Sequence, residues 1–445
     1  MRKYSRYEKY KLSNIDWLGE IPEHWNDCGL THRMESIVDY RGKTPEKVDS
    51  GIFLITAKNI KDGYIDYDAS QEFVREEDYF EIMQRGLPCI GDILMTTEAP
   101  LGNIAQVDNT NVALAQRIIK FSARKDSFQN HFLYYQLRSS FFKSQLEKFA
   151  TGSTALGIKA ERFCYLKLLY PPLLEQQKIA DFLDRETAKI DSLIQKRNDL
   201  IKLLQEKRSA VISHAVTRGI DPTVRLKPSN IDWLGEIPEH WEAIPLKYLL
   251  YEKLKYGANE LAIDEDETQP RFVRITDISD DGTLRPDTFK SIDIQIAKEY
   301  LLAENDLLFA RSGATVGKTF LYQKSWGVTA FAGYLIRARF SLHKANSKFI
   351  FFCTRSSFYW QWIKAATIQA TIQNVSAEKY ASFCFPLPPL LEQQKIVDFL
   401  ARETAKIDSL IEKEKQIIEK MKEYRTALIS AAVTGKVDVR GEENA

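Results

Sequence analysis

The side chains of this chain best suited to chemistry are cations, amides and hydroxyls on polar loops. Arg41-Gly-Lys43-Thr44, Lys58-Asn59, and Thr151-Gly-Ser153-Thr154 with Lys159 fall in the first half. Arg274 with Thr276, Arg311-Ser312 with Lys318, and Gln373-Asn374 fall in the second. Such groups bond phosphate oxygens and base edges. Arg or Lys suits guanine, and Asn or Gln suits adenine. Solvated loops share this composition, so residue type alone leaves the ligand open.

Other motifs fail on spacing. Gly313-Ala-Thr-Val-Gly317-Lys318-Thr319 places three residues between its glycines, where a phosphate-cradling loop has four. A glycine-held loop offering Arg311 and Lys318 to DNA is the better reading. Tyr170-Pro-Pro-Leu173 and Leu387-Pro-Pro-Leu390 lack both the polar and the aromatic residue of an amino-methyltransferase loop. His24 and His240 have no second ligand at metal spacing, so both read as structural. Asp264 to Glu267 reads as a solvated acidic loop. With no glycine fingerprint for a cofactor, no metal cluster and no nucleophile–base set, the chain reads as a binder without catalytic residues or a cofactor of its own.

Charge and composition narrow the class. The 62 basic and 61 acidic residues give a net charge of +1, which excludes a histone-like binder held by bulk charge. A local basic face remains compatible with nucleic acid. Apolar runs are far shorter than the ~20 residues that span a bilayer, and no secretory signal follows Met1. The five cysteines Cys28, Cys89, Cys164, Cys353 and Cys384 are scattered, which points to a reducing cytoplasm.

The elements that must position the loops come from a repeat. Ser13 to Trp25 recurs unchanged as Ser229 to Trp241. Pro171 to Thr217 recurs as Pro388 to Thr434, and within it Glu175 to Ile194 matches Glu392 to Ile411 at 18 of 20 positions. Between these constant blocks lie segments of 145 and 146 residues, Asn26 to Tyr170 and Glu242 to Leu387, that align only faintly. The echoes are Thr56 to Gly63 against Thr276 to Gly282, and Asp92-Ile-Leu-Met95 against Asp306-Leu-Leu-Phe309. The expected organisation is a box (1–25), a domain (26–170), a helix (171–217), a linker with the second box (218–241), a domain (242–387), a helix (388–434) and a tail (435–445).

Each long constant block starts after a Pro-Pro pair and runs to Gly219 or Gly435 without an internal helix breaker. A 3/4 alternation selects Ile179, Leu183, Ile190, Leu193, Leu200, Leu204 and Val211 in one copy. In the other it selects Ile396, Leu400, Ile407, Leu410, Ile417, Met421 and Leu428. This is a coiled-coil seam on a rod of roughly 65 Å. Each helix finds its best partner in the other copy, paired antiparallel, with packing on its own domain as the alternative. The tryptophan boxes are too short to form a core and should dock on the helices or on the start of each domain. The variable segments mix strand-like runs with aromatic helical stretches, Gln129 to Phe149 and Asn346 to Ala365, whose rings should be core. The fold class is α+β: two domains separated by two long helices, with a pseudo-twofold internal repeat.

These features resemble the specificity subunit of type I restriction–modification enzymes. The resemblance rests on Pro172 to Ile179 and Pro389 to Ile396, on the boxes Trp17 to Trp25 and Trp233 to Trp241, and on Arg311 to Lys318. Thr97-Glu98-Ala99 departs from it in the first half. The resemblance implies two target-recognition domains, each reading half of a bipartite duplex DNA site, with the helices as a spacer. It also implies two modification subunits that use S-adenosylmethionine to methylate adenine. Restriction subunits would add translocation and cleavage with ATP and Mg. A bacterial or archaeal cytoplasm is expected. The rivals are a self-contained DNA methyltransferase or nuclease with its own recognition domains, and a coiled-coil scaffold.

Overall fold

The computed structural model describes residues 4–15, 17–40, 42, 45–152, 156–263, 266–279, 282–367 and 374–441. The chain divides into two units, 1–197 with 415–445, and 198–414. Each unit contains one variable segment, one tryptophan box and half of each long helix.

The helices run over Leu173–Arg218 and Leu390–Val433. Each begins where the first free backbone N–H groups reach back to a proline carbonyl, Glu175 to Pro172 and Glu392 to Pro389. Each ends at a left-handed glycine, Gly219 (φ 76°) and Gly435 (φ 69°), as the sequence predicts. In the first unit, the start of the first helix (Ile179, Leu183, Ile190) shares a core with the end of the second (Leu428, Ile429, Val433). Arg425 also bonds Asp191 there at 2.5 Å. In the second unit, the end of the first helix (Ile212, Val216) shares a core with the start of the second (Ile396, Leu400). Arg208 grips Asp408 at 2.8 Å. Both pairings are antiparallel.

The seam departs from the strict alternation in the middle of the helices. Leu193 and Leu410 are exposed, while Ile411 and Ile418 are buried in place of Leu410 and Ile417. A straight helix advances about 20° per heptad against a 3.5-residue repeat, so the buried stripe steps on by one residue.

The two variable segments share a topology that their sequences barely show. In the first unit the sheet order is Met34–Asp39, Ile118–Ala123, Ile93–Thr96, Ile104–Gln106. In the second it is Lys255–Tyr256, Leu335–Ala338, Leu307–Ala310, Thr319–Leu321. Every pair in both sheets is antiparallel. A parallel pair lies beside each sheet, Ile52–Ile55 with Val112–Leu114 and Arg271–Val273 with Thr329–Phe331. Each segment closes on itself: Asn26–Gly29 pairs with Lys167–Tyr170, and Glu242–Pro245 with Cys384–Leu387.

The faint echoes mark equivalent joints. Asp92 accepts the Cys89 N–H and holds Lys120 at 2.8 Å; Asp306 accepts the Ala303 N–H and holds Arg339 at 2.7 Å. Each aspartate thus caps the entry to a strand and ties down a cation of the neighbouring chain segment, Lys120 within the strand Ile118–Ala123 and Arg339 just past the end of Leu335–Ala338. The other echo needs a correction of two residues. Thr56 N–H bonds the Asn59 side chain as Arg274 N–H bonds that of Asp277, so Thr56 corresponds to Arg274 and not to Thr276.

The aromatic stretches are core, as expected, with Phe132, Tyr135, Phe142, Phe358 and Tyr359 buried. Trp360 is the exception: it lies on the exposed side of its helix.

Candidate nucleic-acid interface

Four segments meet at one end of the first unit's sheet. The hairpin Thr97 to Gly102 joins the strands Ile93–Thr96 and Ile104–Gln106, and Gly102 (φ 80°) closes it by donating to Thr96 O. Ile158 N–H donates to Thr97 O at 3.0 Å, and Glu98 bridges Gly157, which brings the segment carrying Lys159 alongside. Thr97 N–H donates to Arg117 O at 2.9 Å, which adds the loop before the central strand. The turn carrying Lys58 is tied to the base of the hairpin, because Asn103 donates to Ile60 O at 2.8 Å.

The second unit repeats the arrangement. Arg311 to Gly317 forms the hairpin, closed by Gly317 (φ 86°) donating to Ala310 O. Val375 N–H donates to Arg311 O at 2.8 Å, and Ser312 bridges Asn374. Arg311 N–H donates to Tyr334 O at 3.0 Å. The guanidinium of Arg311 lies 4.9 Å from the centre of the Tyr256 ring, which fixes it from one side. The stretch that approximates a P-loop is this hairpin. A strand, Thr319–Leu321, follows it, not the helix whose N-terminus a phosphate cradle needs.

The structure therefore brings Arg311, Ser312, Lys318 and Asn374 together in one unit, and Lys58 and Lys159 to the matching place in the other. Thr276 is exposed on the turn Ile275–Asp277 that follows the strand Arg271–Val273. Arg41, Lys43, Ser153, Thr154 and Gln373 lie outside the described residues.

Two candidates are corrected. Asn59 is fully buried; it accepts from Thr56 and donates to Asp66 O and Ser70 O, so it holds its turn and offers nothing outward. Arg274 is spent in the same way, its guanidinium bonded to the buried Asp277 at 2.8 Å and to Thr288 O. Both lie next to a strand end, where polar side chains satisfy backbone groups.

Sequence reasoning missed Arg117, Tyr256 and Tyr334, which the fold brings to the loop clusters from other segments. Arg117 was legible only as the residue before a strand. Beside it, Gln116 lines a polar cleft of about 440 Å³ with Tyr40, Gly42, Arg75 and Arg85.

The repeated boxes do other work. Glu175, buried at the start of the first long helix, accepts from Tyr7 at 2.8 Å and Trp25 at 3.0 Å and meets His24 at 2.7 Å. Burial beside that carboxylate pushes the Tyr7 hydroxyl well above its ordinary pKa, so it stays a donor. Glu392 takes Trp241 at 3.1 Å and His240 at 2.8 Å in the second unit. Each box thus sits against the start of one long helix. It also meets the end of the other: a side chain added at Gly435 would strike Pro22, and one at Gly219 would touch Trp241. Gln176 and Gln393 are buried beside these glutamates. Each spans the chain identically, donating to Pro171 O or Pro388 O and accepting from Gln129 N–H or Asn346 N–H.

Among the described residues, His131, Asp181 and Asp184 are close enough to gather a metal ion. Their atoms are already engaged: Asp184 with His131 and Tyr135, and Asp181 with Gln177.

The chain matches the family model described as the type I restriction modification DNA specificity domain over residues 50–203 and 259–420. A protein of Methanocaldococcus jannaschii assigned as the MjaX type I restriction enzyme specificity subunit is 25% identical, covering 98% of this chain and 99% of its own. Among solved structures, a chain from a study of type I R-M complex assembly and conformational transition superposes with a TM-score of 0.69 at 16% identity, covering 94% of this chain and 99% of its own. The HsdS subunit from Thermoanaerobacter tengcongensis gives 0.50 at 17% identity, covering 95% and 98%.

Proposed function

This chain belongs to the type I restriction–modification DNA specificity family, a family of non-catalytic recognition subunits, and on that premise we propose that its two loop clusters each read one half of a bipartite duplex DNA site. The observation that carries this reading is a contrast. Two units of one topology, held by repeated helices, present hairpin loops of different chemistry: Thr97-Glu98-Ala99-Pro100 in one, Arg311-Ser312-Gly313-Ala314 in the other. A constant frame with variable tips suits a reader of two unlike sequences. Lys58, Lys159, Arg311, Ser312, Lys318, Thr276 and Asn374 are the described contact candidates; Arg41, Lys43, Ser153, Thr154 and Gln373 are candidates by residue type alone.

The long helices act as the spacer between the half-sites in this reading. Their 46 and 44 residues, at ~1.5 Å each, are long enough to set a gap of many base pairs. The same reading places two modification subunits on the repeated blocks. Leu174 and Leu391 occupy equivalent positions and are 73% and 82% exposed, which suits one partner surface used twice. Those subunits would bring S-adenosylmethionine, and restriction subunits would bring ATP and Mg.

Selection from random duplexes by the complex of this chain with its modification subunits tests the proposal. The expected result is two short fixed blocks separated by a gap of constant length. Enrichment of one continuous block, or of none, contradicts it. Transfer of labelled methyl groups by this chain alone would favour the self-contained methyltransferase.

A further inference from the structure

Arg117 is a non-glycine residue in the left-handed region (φ 75°). That conformation is strained for an L-residue, and glycine at the same place would not incur the strain. The fold does not demand the strain. In the second unit the equivalent hydrogen bond, Arg311 N–H to Tyr334 O, is made without a left-handed residue. Strain that the architecture can avoid marks a position where the side chain matters.

That side chain is aimed by a second residue. Glu98, at the tip of the hairpin, meets Arg117 Nε at 2.8 Å, and Glu98 is itself pinned by its bridge to Gly157. Arg117 remains 53% exposed. A carboxylate on Nε steadies the guanidinium plane. The bidentate contact to guanine O6 and N7 is made by the fork of that plane. The pair also supplies what the first hairpin otherwise lacks, since the second hairpin carries its own arginine, Arg311, braced by Tyr256.

We infer that Arg117 reads a guanine in the half-site of the first unit, with Glu98 as its positioning residue. This rests on the specificity reading above. It identifies a reader that lies outside the loop motifs and is brought to the hairpin by the sheet.

The test is the methylation motif of a host lacking other adenine methyltransferases and expressing the complex with wild-type chain, Arg117→Gly, Arg117→Lys, Glu98→Gln or Arg311→Ala. Glycine relieves the backbone strain, so the Arg117→Gly complex should melt no lower than wild type, which separates misfolding from lost reading. At one G·C pair of one half-site, discrimination should fall roughly 10- to 100-fold, with the other half unchanged. Arg117→Lys should relax the same pair, because it keeps the charge and loses the fork. Glu98→Gln should relax it partially, and Arg311→Ala should change only the opposite half. An unchanged motif in Arg117→Gly, or full rescue by lysine, would overturn the inference while leaving the specificity reading intact. No split motif with the wild-type chain would overturn both.

Discussion

Asp184 is one of only two differences between Glu175–Ile194 and Glu392–Ile411, where its counterpart is Ala401. Packing explains it. Asp184 accepts from the Tyr135 hydroxyl at 2.5 Å and from His131 at 2.9 Å; the equivalent residues in the second unit are Phe352 and Lys348, which need no such acceptor. Asp184→Ala should therefore cost about 1–2 kcal/mol in the wild-type background and much less beside Tyr135→Phe, read as a double-mutant cycle by denaturation. The same cluster sets a pH dependence. The hydrogen bond to Asp184 raises the His131 pKa above 6.5, so its stabilisation is full below that value and lost as pH climbs through the raised one. Burial acts to raise Asp184, but hydrogen bonds from His131 and Tyr135 outweigh it and lower the pKa below 3.8. Its contribution is present above that value and lost as pH falls through the lowered one. The first unit should melt higher near pH 5.5 than near pH 8, and His131→Gln should flatten that difference. At Glu175 the expected loss is larger. Glu175→Ala strands the buried donors of Tyr7 and Trp25 and should destabilise the first unit by about 3 kcal/mol, followed by tryptophan fluorescence. Glu392→Ala should cost less, because among the described residues Glu392 bonds Trp241 and His240 without a tyrosine, and it is more exposed.

At the scale of elements, the long helices were legible to within a few residues, because Pro-Pro starts and glycine stops are backbone chemistry written in residue type. The seam was legible in kind but not in phase: a helix period of 3.6 moves Ile411 and Ile418 inward where a strict heptad places Leu410 and Ile417. The sheets were much harder to see. Their strands are three to six residues long for the most part, and their order depends on pairings between distant segments. Asp92 and Asp306 were the surviving trace, since each holds a strand entry and a neighbouring cation at once. Asn59 and Arg274 misled for the same reason: a polar residue beside a strand looks alike whether it bonds backbone or ligand. The spacer reading makes a prediction at this scale. Inserting one heptad in each long helix, after Arg197 and after Glu414, adds ~10 Å. The gap in the methylated motif should lengthen by about three base pairs at ~3.4 Å each, while both half-sites keep their bases.

The whole molecule is a duplication in which constant and variable parts have separate tasks. The constant blocks repeat several joints: Glu175 and Glu392 each hold a tryptophan and a histidine of a box, and Gln176 and Gln393 span the chain. Ser430 and Ser213 receive the Ser140 and Ser357 N–H groups, each at 2.9 Å. The variable parts keep their topology and change their tips. The family was therefore readable from the repeated blocks, which are rigid and specific. The residues gathered at the hairpins were only partly readable, because Arg117, Tyr256 and Tyr334 reach them through the sheet and not through sequence proximity. The most direct test of the account is the adenine methylome of a host that expresses this chain with its modification subunits and no other adenine methyltransferase. The account predicts a single split motif, with methylated adenine in both halves and a gap of fixed length. A continuous motif, or unchanged methylation with a soluble complex in hand, would contradict it.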